Sequence, residues 1–361
     1  MKAAVLREMK QPLTIEQVSL DGPRADEVRI RVTGSGLCHS DYHTMSGDFP
    51  VPMPVILGHE ASGIVEAVGS DVSEFKPGDR VVSCASQYCG HCHDCLSGHN
   101  NVCGSKPSSR DDSAPARISN GSESFNQFAG LGGFAEEMLV HRTGLTKIPE
   151  EMPLDVAALL GCGVLTGVGA ALNGGQVKPG STVAVIGCGG VGLNVIQGAK
   201  LAGAGQIIAV DLNERKFDLA RTFGATHCVK GGPDAVAEVK DMTDGGVDYA
   251  FEVIGMTTTQ EQALMMLRRR GTFVVVGMAP MVSTFAVPGV MMMAMELEIR
   301  GTLMGSVPFQ VAIPEYAQLY LNGKLKLDEL VSERIKLEDI NTGYDKMMAG
   351  DVARSIIVFD E

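Results

Sequence analysis

The feature that most restricts the possible folds is the glycine-rich run Gly187-Cys-Gly-Gly-Val-Gly192, which directly follows the apolar segment 182–186. A helix-forming stretch follows it, and the next apolar segment, 206–211, ends in Asp211. In such a unit the first glycine permits a tight turn, the second lets the backbone approach a pyrophosphate, and the third allows close helix–strand packing. The order predicts a dinucleotide site formed by Gly187, Gly189, Gly190, Val191 and Gly192.

The residue at the end of the second strand indicates which dinucleotide. The carboxylate of Asp211 would accept hydrogen bonds from ribose hydroxyls and repel a 2′-phosphate, and the neighbouring Leu212 offers no cation. NAD is therefore favoured over NADP. The alternative is that Asp211 caps the helix expected to begin near Asn213.

Strand and helix patterns alternate around this run. Strands are predicted at 182–186, 206–211, 247–252 and 272–276, and helices up to Gly203, over 213–223 and through Arg268. This rhythm predicts a parallel sheet covered on both faces. The final segment, with a helix at 313–321 and a strand at 355–359, need not belong to that sheet.

The first third of the chain has a different pattern. Segments 27–32 and 61–68 alternate with period two between Gly and Pro turns, which predicts a mixed-sheet or barrel-like β domain. Segment 105–133 is polar and Gly/Ser-rich without a period, and we expect a long excursion there. With 361 residues, two domains, or one domain with a large insertion, are expected.

Composition excludes several partners. The net charge of −13 and pI near 5.1 argue against binding to nucleic acid or anionic lipid. No apolar run reaches the ~18 residues of a membrane span, and Arg7, Glu8 and Lys10 follow the short apolar start, unlike a secretory signal. We therefore expect a cytoplasmic protein without membrane contact.

Cysteine usage points to metal. The chain has nine cysteines, and Cys89, Cys92, Cys95 and Cys103 are closely spaced, which suits zinc in a reducing compartment better than disulfides. Four thiolates complete a tetrahedral zinc site with no open position, which is typical of a structural site. The neighbouring His91, His93 and His99 are interpreted as solvated loop residues.

A second group is dispersed along the chain: Cys38-His-Ser-Asp-Tyr-His43, Gly58-His-Glu60 and Gly161-Cys-Gly163. Taken singly, each cysteine fits a small core residue and each histidine an ordinary one. Spacing alone does not show that they meet. The residues by themselves indicate only a possible site.

The segments 161–167 and 251–255 and the terminal Arg354-Ser-Ile-Ile add to these motifs. Together they make the sequence resemble the zinc-containing medium-chain alcohol dehydrogenases along nearly its whole length. The resemblance implies an α/β fold. A GroES-like β-rich catalytic domain would comprise residues 1–163 and 304–361, with a structural zinc lobe at 84–104. An inserted Rossmann domain, a doubly wound parallel sheet, would comprise residues 164–303.

The resemblance also assigns roles near a second zinc. It implies that Cys38, His59 and Cys162 bind a catalytic zinc, with Glu60 behind the metal and Asp41 orienting His59. Zinc of this kind lowers the pKa of an alcohol so that its carbon can release hydride to NAD. Two zinc ions per subunit and NAD are the implied cofactors.

Further contacts follow from the same resemblance. Ser40 would touch the substrate oxygen, and His43 would pass the proton to solvent. The remaining cofactor contacts would be His39, Thr166, Lys216, Val253, Ile254, Val276 and Arg354. For Lys216 and Arg354, ordinary solvated charges are the alternative.

The expected substrate wall contains Ser40, Phe49, Ala85, Met278 and Leu303. Ser40 and Ala85 stand where many relatives carry larger side chains, so we expect bulky hydrophobic or aromatic primary alcohols and their aldehydes. A thiol-dependent formaldehyde dehydrogenase is the alternative, left open by Arg110 and Arg117 although Phe49 replaces an acidic group. A non-catalytic nucleotide- and zinc-binding protein is the alternative from another class.

The resemblance finally implies a homodimer. The excursion at 105–133 is typical of the dimeric members, and Rossmann sheets would pair around 285–300, burying the run Met291-Met-Met-Ala-Met295. The alternative is that this methionine run is ordinary core.

Overall fold

The fold is seen in a computed structural model that describes residues 1–105, 110 and 114–359. Its strands are β1 (Lys2–Leu6), β2 (Thr14–Gln17), β3 (Ser19–Leu20), β4 (Glu27–Gly36), β5 (Val55–Ile56), β6 (Ala61–Val68), β7 (Arg80–Ser83), β8 (Ile118–Ser119), β9 (Ser124–Gln127), β10 (Glu137–His141), β11 (Leu145–Lys147), β12 (Thr182–Ile186), β13 (Gln206–Asp211), β14 (His227–Lys230), β15 (Val247–Glu252), β16 (Leu267–Val275), β17 (Glu298–Gly301), β18 (Val331–Ile335) and β19 (Arg354–Val358). Its α-helices are α1 (His39–Ser46), α2 (His93–Leu96), α3 (Leu154–Ala157), α4 (Gly163–Gly169), α5 (Gly190–Leu201), α6 (Phe217–Phe223), α7 (Ala235–Met242), α8 (Thr257–Met265), α9 (Gly289–Met295), α10 (Phe309–Leu321) and α11 (Ile340–Ala349).

The chain divides into two compact units. Unit 1 comprises Met1–Cys162 and Pro308–Glu361, and unit 2 comprises Gly163–Val307. The junctions thus lie at 162/163 and 307/308, beside the 163/164 and 303/304 expected from the sequence. Both chain ends belong to unit 1.

Unit 1 is built from two sheets. One has the order β2-β1-β5-β9-β8-β3, and the other β11-β7-β6-β4-β19-β18 with β10 also paired to β4. The period-two pattern of β4 and β6 places Val28, Ile30, Val32 and Val65 in one buried cluster. Burying each such side chain stabilises the unit by about 1.5–3 kcal/mol. The β-rich prediction for this region is confirmed.

Unit 2 contains one parallel sheet in the order β14-β13-β12-β15-β16-β17. Chain order therefore reverses between β12 and β15, the position at which doubly wound sheets bind their ligands. Its core includes Ile208, Val229 and Phe273. Phe273 is fully buried, so truncation to Ala would cost about 3–5 kcal/mol. The Rossmann prediction is confirmed.

One local prediction was wrong. Helix α8 ends at Met265, and Arg268 lies in β16, because Leu267 pairs with Val247 on β15 and commits the backbone to the sheet. The excursion at 105–133 contains the short strands β8 and β9, which the sequence analysis did not predict. Strands of two and four residues are too short to show a period.

Residues 106–109 and 111–113 of that excursion, including Asp111 and Asp112, lie outside the described residues. Arg110 is described: its guanidinium bonds to Glu27 at 2.5 Å and to Asp21 at 2.5 Å, and Arg117 bonds to Glu27 at 2.8 Å. The two arginines therefore tie the excursion to the start of β4. Among the described residues, no single helix has the length and apolar character needed to span a membrane.

Candidate metal centres and dinucleotide site

The first centre brings together residues that are far apart in sequence. Cys38 immediately precedes α1, His59 and Glu60 precede β6, and Cys162 ends the helical turn after α3. Their ligand atoms lie within 4.8 Å of one another, and all four residues are buried. The fold therefore assembles the predicted set Cys38, His59, Glu60 and Cys162 in one place.

A buried carboxylate orients the imidazole. Asp41 Oδ2 lies 3.0 Å from His59 Nδ1, and Asp41 Oδ1 accepts a hydrogen bond from the Gly58 N–H at 2.8 Å. Burial lowers the pKa of His59, but the charges of Asp41 and Cys38 outweigh it and raise this pKa well above its ordinary value. Both His59 nitrogens are buried without a hydrogen bond among the described residues, and of the two it is Nδ1 that faces Asp41. An orphaned imidazole nitrogen beside two thiols fits a metal.

The thiols in this centre interact with each other. The hydrogen bond with Cys162 is the main reason that the pKa of Cys38 is lowered well below its usual range, and the same bond raises that of Cys162. A divalent ion would favour ionisation of both sulfurs.

Behind the thiols lies a buried ion pair that the sequence did not reveal. Arg354 Nη2 donates to Glu60 Oε2, and burial raises the pKa of Glu60 to about 7 despite this partner. A Cβ on Gly36 would stand 2.6 Å from Glu60 Oε2, so glycine leaves room for the pair. Arg354 was expected near cofactor phosphates, which stays a prediction; its contact in the structure is with Glu60.

The residues of α1 line the first centre on one side. Ser40 is half-buried with its Oγ 3.8 Å from Cys38 Sγ, and His39 is exposed. His43 is 29% exposed, and its Nδ1 lies 3.1 Å from Asp48 Oδ2. Hydrogen bonds from Ser46 and then His43 lower the pKa of Asp48. No pattern in the sequence marks Asp48 as the partner of His43.

The second centre is the cysteine lobe. Sulfur–sulfur distances are 3.5 Å for Cys92–Cys95, 3.7 Å for Cys103–Cys89, 3.8 Å for Cys92–Cys103 and 3.9 Å for Cys89–Cys95. A tetrahedral zinc with bonds of about 2.3 Å to sulfur requires sulfur–sulfur edges of about 3.8 Å. The lobe therefore has the dimensions of a zinc tetrathiolate.

The cysteines of the lobe differ from one another in their surroundings and in their pKa. Backbone hydrogen bonds lower the pKa of Cys89 to about 6, whereas burial raises that of Cys95 to about 12. The predicted solvated histidines are exposed: His91, His93 and His99.

In unit 2 the glycine run forms the predicted turn between β12 and α5. Gly187 has φ +103°, and a Cβ on Gly192 would lie 1.7 Å from the Gly187 carbonyl oxygen, so the fold itself requires both glycines. A Cβ on Gly189 would meet no atom within 4 Å. Protein packing does not explain this glycine, whereas a pyrophosphate lying against the helix start does.

Asp211 lies at the end of β13 and braces the turn. Its Oδ2 accepts from the Cys188 N–H at 2.8 Å and lies 3.4 Å from Lys216 Nζ, and its Oδ1 accepts from the Asn213 N–H at 2.8 Å. The Arg215 N–H donates to the side chain of Asn213, at 3.1 Å. Asn213, not Asp211, therefore caps the following helical turn, which removes the alternative for Asp211.

Comparison with known proteins decides the family. The model described as Alcohol dehydrogenase GroES-like domain matches residues 24–150, and that described as Zinc-binding dehydrogenase matches residues 190–322. An alcohol dehydrogenase zinc-binding domain protein from Burkholderia ambifaria is 35% identical, with 100% of this chain and 99% of that chain covered and a TM-score of 0.95. The chain belongs to the zinc-containing medium-chain alcohol dehydrogenases.

Two further structures of this dehydrogenase family are informative. Benzyl alcohol dehydrogenase from Acinetobacter calcoaceticus is 33% identical over 99% of both chains, with a TM-score of 0.94. A zinc-binding dehydrogenase from Sinorhizobium meliloti 1021, bound to NADP, is 28% identical over 99% of both chains, with a TM-score of 0.82.

The other residues assigned from the dehydrogenase resemblance are distributed over both units. In unit 2, Val253 and Ile254 follow β15, Val276 follows β16, and the Thr166 hydroxyl on α4 lies 3.8 Å from Met304 Sδ. Of the expected substrate wall, Phe49 and the half-buried Ala85 lie in unit 1, and the exposed Met278 and Leu303 lie in unit 2. A cavity of about 550 Å³ beside Cys89 contains none of these wall residues.

Proposed function

We propose that the protein is an NAD-dependent alcohol dehydrogenase with two zinc ions per chain. It would interconvert a primary alcohol, of the bulky hydrophobic or aromatic kind, and its aldehyde. The observation that carries this proposal is the assembly of Cys38, His59 and Cys162 in a buried centre whose imidazole is oriented by Asp41. Two sulfurs and one nitrogen leave a fourth position open, as in catalytic zinc sites.

When bound, zinc supplies a Lewis acid that lowers the pKa of an alcohol, and NAD accepts hydride from its carbon. The side chains of this protein position the metal ligands. Because Asp41 engages His59 Nδ1, Nε2 is the nitrogen left to face the metal. The pairing of Arg354 with Glu60 compensates negative charge behind the two sulfurs.

Residues of α1 would remove the proton of the alcohol. The Ser40 hydroxyl would take the proton of the alcohol as it passes its own proton on, and His43 would carry the released proton towards solvent, since its side chain is partly exposed. Asp48 would hold the His43 ring in place through the contact at His43 Nδ1.

NAD is proposed over NADP from the surroundings of Asp211. The nearby cation, Lys216, already lies against the Asp211 carboxylate, and Leu212 is 74% exposed without charge. A 2′-phosphate would face the carboxylate. One relative was solved with NADP bound, so kcat/KM is to be measured with both NAD and NADP. A ratio of kcat/KM for NAD over NADP above about tenfold supports this assignment, and a ratio below one contradicts it.

A substrate panel tests the alcohol class. The benzyl alcohol dehydrogenase among the relatives supports an aromatic substrate. Replacing Ala85→Phe should reduce kcat/KM for benzyl-type alcohols relative to short alcohols by about tenfold or more. An unchanged ratio would count against Ala85 as a wall of the substrate site. If no alcohol produces NADH absorbance, the non-catalytic alternative replaces the enzyme.

The thiol-dependent formaldehyde alternative loses its support from the arginines. Arg110 and Arg117 both bond to Glu27, and each is only 7% exposed, so neither presents a guanidinium to a ligand carboxylate. Formaldehyde oxidation that requires an added cellular thiol would reverse this order of preference.

The proposal includes a homodimer formed through unit 2. Within the described residues, β17 is the last strand of its sheet, and Val290 and Met293 on α9 are 72% and 73% exposed. Met291, Met292 and Met295 instead pack on the core, so the methionine run has both expected characters. Light scattering that measures the mass of the wild type and of Met293→Glu tests this homodimer. A wild type that is monomeric contradicts it.

A further inference from the structure

The Glu252 carboxylate is fully buried at the end of β15 and has no part in the reaction proposed above. Its Oε1 accepts hydrogen bonds from the Ile254 N–H at 2.9 Å and the Gly255 N–H at 2.8 Å. The Thr259 hydroxyl at the start of α8 donates to the same oxygen at 2.8 Å. Each hydrogen bond restrains its donor, so three of them that converge on one oxygen fix the backbone that carries the donors.

The same residue also holds the next turn of the sheet. The Glu252 main-chain carbonyl accepts from the Val276 N–H at 3.0 Å and from the Gly277 N–H at 2.9 Å. The turns that follow β15 and β16 are thus both bonded to one residue. They carry Val253, Ile254 and Val276, which the family resemblance assigns to the cofactor.

The turn after β15 contacts the glycine run. The Val253 N–H donates to the Ile186 carbonyl at 3.0 Å, at the end of β12. A Cβ on Gly187 would lie 2.7 Å from Ile254 Cγ1, so the Ile254 side chain rests directly on the first glycine of the run. Movement of Ile254 would therefore disturb the turn that faces a pyrophosphate. The strands concerned, β12 and β15, are those between which the chain order of the sheet reverses.

We propose that Glu252 is a positioning residue of the dinucleotide site: its buried side-chain oxygen holds the turn after β15 against the glycine run, and its carbonyl holds the turn after β16 beside that turn. Glu252 acts through the backbone and touches no reacting atom. This inference rests on the proposed function, because it takes unit 2 to bind NAD. A purely structural role would lower stability without a specific effect on cofactor affinity.

The test compares Glu252→Gln, which keeps an acceptor oxygen, with Glu252→Leu, which removes it. Zinc-loaded proteins are titrated with NADH by nicotinamide fluorescence and assayed for KM and kcat. The Leu variant should bind NADH about 10- to 100-fold more weakly, with a matching rise in KM for NAD and kcat within about threefold. The Gln variant should recover affinity to within about threefold.

Hydrogen exchange of the cofactor-free proteins gives a second measurement. The Ile254 and Gly255 amides should exchange faster in the Leu variant than in the Gln variant and wild type. Should Glu252→Leu not fold, Thr259→Val and Thr259→Ser replace the pair, with about threefold weaker binding expected for Val and recovery for Ser; Thr257→Val, the same change two residues earlier, is the matched control.

The outcomes separate the two proposals. A folded Leu variant that binds NADH as tightly as wild type, or a Gln variant as weak as Leu, overturns the positioning role and leaves the dehydrogenase assignment intact. So does equal binding by Thr259→Val and Thr259→Ser in the replacement series. A wild-type chain that binds no NADH overturns the proposed function and this inference with it.

Discussion

The two sulfur-rich centres of unit 1 are built in opposite ways. The lobe takes its donors, Cys89, Cys92, Cys95 and Cys103, from one short segment and leaves three of them partly exposed. The first centre takes Cys38, His59 and Cys162 from distant segments and buries them all. Local spacing is enough to define a closed tetrathiolate, whereas an open, reactive site needs the whole unit to bring its donors together.

The two centres also differ in the groups that surround their ligands. Asp41, Glu60 and Arg354 surround the first centre, and each touches or faces one of its members. In the lobe, backbone groups do this work: the Cys89 N–H donates to Cys103 Sγ at 3.4 Å. We therefore expect changes in the first centre to affect activity and changes in the lobe to affect stability.

The largest effect is expected for Cys38→Ser. A metal Lewis acid contributes several kcal/mol, so kcat/KM should fall by at least about 10³-fold, and zinc should fall from two ions to one per chain. The thermal midpoint should change little. Cys228→Ser, outside both centres, is the matched control and should keep activity and both ions. An active Cys38→Ser protein would mean that the first centre does not perform the reaction.

The counterpart in the lobe is Cys103→Ser. Structural zinc contributes folding free energy, so the free energy of unfolding should fall by about 4 kcal/mol with the loss of one ion. Activity per remaining zinc, measured well below the new midpoint, should stay within about threefold. A lobe variant that is stable but inactive would reverse the roles of the two centres.

Unit 1 also contains an anchor that uses no metal, the pairing of Glu27 with Arg110 and Arg117. It can be compared with the two metal centres. Burial opposes ionisation of Glu27, but hydrogen bonds from Arg110, from the Arg24 backbone and from Arg117 lower its pKa to about 2. Because the folded pKa is below the unfolded one, this anchor stabilises the chain above about pH 4.5, and the contribution is lost as pH falls towards 2.

Glu27→Gln should therefore cost about 3 kcal/mol at pH 7 and about half of that near pH 3. Denaturant unfolding of both chelated proteins at each pH measures the difference, and chelation removes the effect of zinc release. A difference that grows as the pH falls would show that Glu27 is not an ionised anchor.

The smallest effect is expected for Asp41→Asn, which keeps the shape of the side chain but removes the charge facing His59. Changing such a partner of a metal ligand typically costs 10- to 100-fold in activity or metal affinity. Zinc titration and kcat/KM would measure both. Asp48→Asn, on the more exposed His43, is the control that should leave zinc affinity unchanged; equal zinc loss in the two variants would deny Asp41 its role.

Sequence patterns predicted the regular parts of the fold well. The strands at 61–68, 182–186, 206–211 and 247–252 have the predicted bounds, because alternation or a continuous apolar run identifies them. The pattern failed where tertiary pairing decides, as at Arg268 in β16. It also missed β14 and α7.

The sites were predictable in proportion to how local they are. Spacing alone indicated the cysteine lobe and the glycine run. The first centre could be assigned only through resemblance to a family, because its members meet through tertiary folding. The partners Arg354–Glu60 and His43–Asp48, and the triple acceptor Glu252, depend on side-chain placement that one sequence does not display.

In the proposed reaction one zinc, held by Cys38, His59 and Cys162, is needed for turnover. Zinc content and alcohol oxidation measured on the same samples during gradual chelation test it most directly. We predict that the rate falls in proportion to the loss of one ion per chain and returns when zinc is added back. A sample that oxidises alcohol at the full rate with no zinc would show that this metal has no role in turnover.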